Sequence, residues 1–192
     1  TARHGIDANR VFVAGLSAGA AMAVVMGQTH PDVFAAIGVH SGLPFASAHD
    51  VASALQTMKG GRARGAVSPV RDTARTGNQP VPLIVFHGDR DHTVQATNAA
   101  EVVRQAVQAH APRELVTDVA TGAAERAGGR SHTRTLLRDA QGRVWVESWT
   151  VHGAGHAWSG GDARGSFTDP RGPDASGEML RFFLSHSTKR TN

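Results

Sequence analysis

The chain has no cysteine and no tyrosine, and aromatic residues make up only 5% of its 192 positions. The first absence excludes disulfides, a thiolate nucleophile and cysteine–zinc sites within these residues, and leaves the redox compartment open. Scarce aromatics supply a base-stacking platform poorly, so no nucleic-acid partner is expected. The net charge of +4 comes from scattered basic residues and reads as a solvated, arginine-rich surface. No stretch approaches the ~18–20 continuous apolar residues of a membrane span, so no membrane partner is expected. The opening "TARHGIDANR" has neither the apolar core of a secretion signal nor an initiator Met, so further residues are expected upstream. What is present is 40% hydrophobic content over a length that suits one domain, 1–192, with a sizeable core.

Short apolar runs alternate with helical segments along the chain. Arg10–Ala14, Phe34–Val39 and Leu83–His87 read as buried strands, with Leu115–Val119 a further strand. Thr133–Arg138 and Val144–Val151 alternate around "DAQG" and read as a hairpin. Helices are expected at Ala20–Gln28, Asp50–Met58 with Asp50 as N-cap, Thr97–Ala109 and Asp174–His186. Gly60–Pro80 and Ala124–Arg130 read as loop. Continuous apolar strands separated by helices imply an α/β fold, a mainly parallel sheet with helices on both faces.

Ligands of such sheets bind beyond the carboxyl ends of the strands, and three strand ends carry reactive residues. The first is "GLSAG", Gly15–Gly19, where one serine stands between two glycines at a strand-to-helix turn. A sharp turn there lifts Ser17 Oγ into the open, and the flanking glycines make room for it. The backbone N–H of Ala18 then lies at a helix N-terminus, suited to stabilise developing negative charge. The second is "VFHGDRDHTV", where Asp91 lies past a strand end as the acid that orients a base. Asp89 is the runner-up, read as a turn residue bonding its own loop backbone. The third is "VHGAGHAWSGG", where His156 sits in a glycine-rich loop free to reach Ser17. His152 reads as a structural strand-end residue, since Gly153 and Gly155 oppose the helix that a zinc pair at that spacing needs. His40, His87 and His92 are competing bases; His40 and His87 also lie where they would line a site. "HGDRDH" has the composition of a metal cluster but lacks other ligands, so no metal is expected. The chain order Ser17, Asp91, His156 is that of an α/β-hydrolase.

These pieces resemble a known family, the esterases of the polyhydroxybutyrate (PHB) depolymerase type, which are α/β-hydrolases. The resemblance rests on "RVFVAGLSAGAAMA", "HPDVFAAIGVHSGLPF", "ALQTMKGG", "VFHGDRDHTV" and "GAGHAWSGGDARGSFTDPRGPDASGEMLRFFLSH". It implies Ser17 as nucleophile, Asp91 as triad acid and His156 as general base, with no cofactor. It also implies an ester substrate, including poly(3-hydroxyalkanoate) chains, and a secreted protein. Feruloyl and acetylxylan esterases are similar, so the acyl group stays open, as does a serine peptidase on the same fold. Trp158, just after His156, is a candidate pocket wall and equally a loop anchor, and His40 is the other candidate substrate contact.

The family's nucleophile strand is usually the fifth of its sheet, whereas here it starts near residue 10. A partial α/β-hydrolase fold is therefore expected, without the N-terminal strands or the loop that supplies a second oxyanion N–H. Weak hydrolysis by the chain alone is expected, and an inactive binding fragment is the alternative reading. The nucleophile strand then lacks its usual neighbour, and an apolar unpaired edge favours pairing with another chain. We expect the isolated chain to self-associate with rising concentration in sedimentation velocity; a monodisperse monomer throughout overturns this.

Overall fold

The computed structural model describes residues 4–60, 80–109, 114–124 and 127–188. Eight strands and four helices are found there. They run β1 (Phe12–Leu16), α1 (Ala18–Thr29), β2 (Ala36–His40), α2 (Val51–Met58), β3 (Leu83–Gly88), α3 (Thr97–Ala109), β4 (Val116–Gly122), β5 (His132–Arg138), β6 (Val144–Val151), β7 (Trp158–Ser159), β8 (Thr168–Asp169) and α4 (Ala175–Leu184). The main sheet has the order β1-β2-β3-β6-β5-β4. β1, β2, β3 and β6 are parallel, and β5 and β4 continue the sheet antiparallel. The expected β5–β6 hairpin is present. Asp139 caps its turn, accepting the Trp145 indole N–H at 2.7 Å.

Alternation along β2 and β3 explains the layering. Ile37, Val39, Leu83 and Val85 face one way, against Ala20 and Val24 of α1 and Val102 and Ala106 of α3. Ala36, Ile84 and Phe86 face the other way, against Ala175, Met179, Phe182 and Phe183 of α4. Every residue of both strands is buried, which is why they read as unbroken apolar runs. The buried residues of α4 recur at helical spacing, and Asp174 starts that helix by accepting the Gly177 N–H at 3.0 Å. Asp50 caps α2 as expected, in a reciprocal capping box with Ser53.

Two boundaries near the site differ from the sequence expectation. β1 runs to Leu16 and α1 begins at Ala18, so the turn between them is a single residue. The expectation left room for a longer turn; the backbone at Ser17 accomplishes it alone. The predicted loop at Gly60–Pro80 lies almost wholly outside the described residues. Among the described residues, no helix is long and apolar enough to cross a membrane.

Glu147, on β6, is a wholly buried carboxylate. Its Oε1 accepts from Arg134 Nε at 2.9 Å, from Trp149 Nε1 at 2.8 Å and from Arg181 Nη2. It ties the sheet to α4 through one oxygen, while Oε2 has no hydrogen-bond partner among the described residues. Removing its charge weakens three bonds at once. Glu147→Gln is expected to lower unfolding free energy by about 1.5–3 kcal/mol, seen as a lower urea midpoint at unchanged slope.

Candidate active site

The strand register brings the three reactive ends to one rim. Leu16 pairs with His40, His40 with Phe86, and Phe86 with Trp149. Ser17 follows directly on this row. Its φ is 57° and its ψ −119°, a conformation that L-residues rarely adopt and that a packed turn must hold in place. Its N–H donates to the His40 carbonyl at 2.9 Å, and its side chain makes no capping bond. A Cβ at Gly15 would stand 2.3 Å from the Gly19 carbonyl carbon, so only glycine fits there. Gly19 itself has open space around it, so the turn needs one of its two glycines and not both. Ala18 is exposed in the first turn of α1, where backbone N–H groups have no intrahelical acceptor.

Asp91 and His156 form a closed pair. His156 Nδ1 lies 2.8 Å from Asp91 Oδ2. Asp91 Oδ1 accepts the N–H of Thr93 at 3.0 Å and of Val94 at 2.8 Å. Burial pushes the Asp91 carboxyl up, but hydrogen bonds from His156, Val94 and Ser41 outweigh it and hold the group below the usual carboxylate range. An ionised carboxylate only accepts, so Nδ1 of His156 carries the proton and the Nε2 lone pair of the neutral ring is left to act as a base. No hydrogen bond joins Ser17 Oγ to His156 among the described residues. Catalytic bonds of this kind often tighten only when substrate binds.

His40 holds the rim together from beneath. It is 1% exposed, so it offers no surface to a substrate, and the expectation that it contacts one is corrected. Its Nε2 accepts the N–H of Ser159 at 3.0 Å, and Trp158 stacks on it with centroids 5.1 Å apart. The loop carrying His156 therefore arches back from β6 over β2, toward Ser17. Trp158 also donates from Nε1 to Ser176 Oγ at 3.0 Å, the contacts of a loop anchor.

The other candidates go elsewhere. His87 is buried and bonded to the Val94 carbonyl, and His92 is exposed. Asp89 does not bond its own loop: Oδ2 meets His152 Nδ1 at 2.9 Å and Oδ1 accepts the Gly153 N–H at 2.7 Å. Within "HGDRDH", Asp89 turns to His152 and Gly153, while His87 Nε2 lies 3.6 Å from Asp91 Oδ2. Sequence reasoning missed Ser41, wholly buried with φ 50° beside Asp91; a positive φ at serine leaves no mark in the sequence.

Comparisons with known proteins bear on the family and the fold. The family model described as Esterase PHB depolymerase matches residues 1–134. The chain is 37% identical over 162 residues to poly(3-hydroxyalkanoate) depolymerase C of Paucimonas lemoignei, covering 81% of this chain and 37% of that one. It is 31% identical over 114 residues to feruloyl esterase B of Talaromyces stipitatus, covering 54% of this chain and 32% of that one. The crystal structure of PHB depolymerase from Penicillium funiculosum superposes with a TM-score of 0.64 at 19% identity, covering 94% of this chain and 52% of that one. The last is a likeness of fold, the α/β-hydrolase fold. The chain spans well under half the length of these curated relatives.

Burial, then the neighbouring His87, lowers the His40 pKa from 6.5 to about 3, against an upward pull from Asp91. The unfolded chain therefore binds more protons than the folded one between pH 6.5 and about 3, and stability falls as pH drops through that window. The slope is at most about 1.4 kcal/mol per pH unit for one such histidine. Denaturant midpoints across this range are expected to fall with pH, and to fall less steeply in His40→Gln, whose side chain does not titrate.

Proposed function

We propose a function from one premise: the chain belongs to the Esterase PHB depolymerase family. It is the catalytic part of a serine carboxylic-ester hydrolase, with poly(3-hydroxyalkanoate) chains or their oligomers as the leading substrate class. The 2.8 Å contact between Asp91 and His156, beside a serine on a strained one-residue turn, is the observation that carries the reading.

The chemistry is two-step acyl transfer. Ser17 Oγ attacks the ester carbonyl while His156 Nε2 takes its proton, then returns it to the departing alcohol. Water gives its proton to His156 and attacks the acyl carbonyl; the bond to Ser17 Oγ then breaks, His156 returns the proton to Oγ, and the acid is released. Asp91 stays ionised throughout and stabilises the imidazolium. The Ala18 N–H serves the oxyanion, and losing one such donor typically costs about 2.7–4 kcal/mol of transition-state stabilisation. An extracellular location forms part of the same proposal. The second reading is a non-catalytic binding fragment, favoured by the missing Ser17 Oγ–His156 bond and by the outer side of β1, which pairs only with β2 among the described residues.

A fluorophosphonate probe separates the two. Covalent labelling of Ser17 is expected, abolished in Ser17→Ala and reduced by about 10⁴-fold in Asp91→Asn. A folded chain that resists labelling supports the binding fragment instead. Parallel assays on a 3-hydroxybutyrate oligomer, an aryl ferulate ester and a peptide anilide then sort the substrate, with the oligomer expected to be cleaved fastest.

A further inference from the structure

The two loops that supply Asp91 and His156 carry a second hydrogen-bonded row beside the first. Asp89 lies two residues before Asp91, and His152 four before His156. Asp89 Oδ2 is 2.9 Å from His152 Nδ1, and His152 Nε2 is 3.0 Å from Thr133 Oγ1. Nδ1 carries the proton facing the carboxylate, and Nε2 shares a hydrogen bond with the threonine hydroxyl. Thr133 lies within β5, paired with Thr121 and Thr150, so this row ends in the sheet and not at a strand-to-helix turn.

The other carboxylate oxygen of Asp89 has a different partner. Its Oδ1 accepts the N–H of Gly153 at 2.7 Å. Gly153 has φ +72°, a conformation that glycine adopts freely and that a side chain would strain. The Gly153 carbonyl is held from the opposite side by Arg130 Nη1, whose Nε pairs with Asp169. Two backbone bonds complete the join: Asp89 N–H to the Val151 carbonyl at 3.2 Å, and Arg90 N–H to the Ala154 carbonyl at 3.0 Å. The stretch 151–154 is thereby fixed to residues 89–90, and His156 begins its reach from that fixed point. Gly153 and Gly155 make the base loop one of the costliest kinds of segment to order, so something besides the His156–Asp91 bond has to hold it.

The geometry points to Asp89 as a positioning residue for the general base. One carboxylate grips the His152 ring and the Gly153 backbone together, and so sets where His156 stands relative to Asp91 and Ser17. This rests on the esterase reading for its catalytic meaning, though not for its geometry. Asp89 holds both partners as an anion. Partial burial pushes its carboxyl up, and the bonds from His152 and Gly153 more than reverse this. The two aspartates of "HGDRD" thus have separate roles, the first fixing the loop and the second the ring.

The proposal is tested on the 192-residue chain with two readouts. One is the second-order rate of Ser17 labelling by a fluorophosphonate across pH. The other is the ¹⁵N–¹H imidazole spectrum of His156, which reports whether its proton stays on Nδ1. Asp89→Ala is expected to slow labelling by about 10–100-fold, as for a catalytic group displaced by about an ångström, and to turn the His156 signal into a tautomer mixture. Asp89→Asn keeps an oxygen for the Gly153 N–H and is expected to restore most of both. Gly153→Ala attacks the same turn from the other side and is expected to reproduce the Asp89→Ala losses; it serves if Asp89→Ala does not fold. A folded Asp89→Ala or Gly153→Ala with wild-type labelling and an unchanged His156 spectrum overturns the proposal. So does an Asp89→Asn as impaired as Asp89→Ala, which would trace the effect to charge alone. If the wild type itself is not labelled, the esterase reading fails, and the clamp then stands or falls on the His156 spectrum.

Discussion

A buried carboxylate has to be satisfied, and at Asp91 that requirement organises the rim of the sheet. Its side chain is fully removed from solvent, so an uncompensated charge there would cost far more than any single contact returns. The fold meets the demand from three directions: two backbone N–H groups of its own loop, the His156 ring 65 positions away, and the Ser41 hydroxyl from the end of β2. The base is drawn to the acid as much by the acid's need as by its own. The same bonds keep the carboxylate charged, which is the state that stabilises an imidazolium.

The candidate site residues were legible because each stands at a strand end in a recognisable local pattern. Gly15, Ser17, Asp91 and His156 could be named from such patterns alone, and the buried strands from their unbroken apolar runs. The supporting residues were not legible, because their partners are remote. His40 reads as a competing base and candidate substrate contact until Ser159, 119 positions later, is seen to donate to its ring. Asp89 reads as a turn residue until Gly153, 64 positions on, takes its oxygen. Sequence patterns describe neighbours along the chain, and long-range hydrogen bonds decide what a polar side chain does. Gly19 was misjudged for a related reason: the pattern places a glycine there, and no described atom crowds it.

Helix α1 shows the same tension between local and remote information. It is apolar around its whole circumference, the signature of a helix buried on every side. Ala20, Ala23 and Val24 are buried against the sheet, but Met22 and Val25 are exposed on the opposite side. β1, beneath it, is only partly buried and pairs on one side alone, unlike β2 and β3. Within the described residues, Ser17 therefore follows a partly buried edge strand, whereas Asp91 follows the wholly buried β3.

The order of the three residues along the chain has a consequence for the protein during its synthesis. A ribosome adding about 5–20 residues per second makes Ser17 roughly 7–28 s before His156. Through that interval the base proposed for Ser17 is absent. The Ser159–His40 bond, which folds the last loop over the second strand, forms only after most of the chain has emerged. On the proposed esterase reading, the base loop would therefore be assembled late in biogenesis, long after Ser17 has been made.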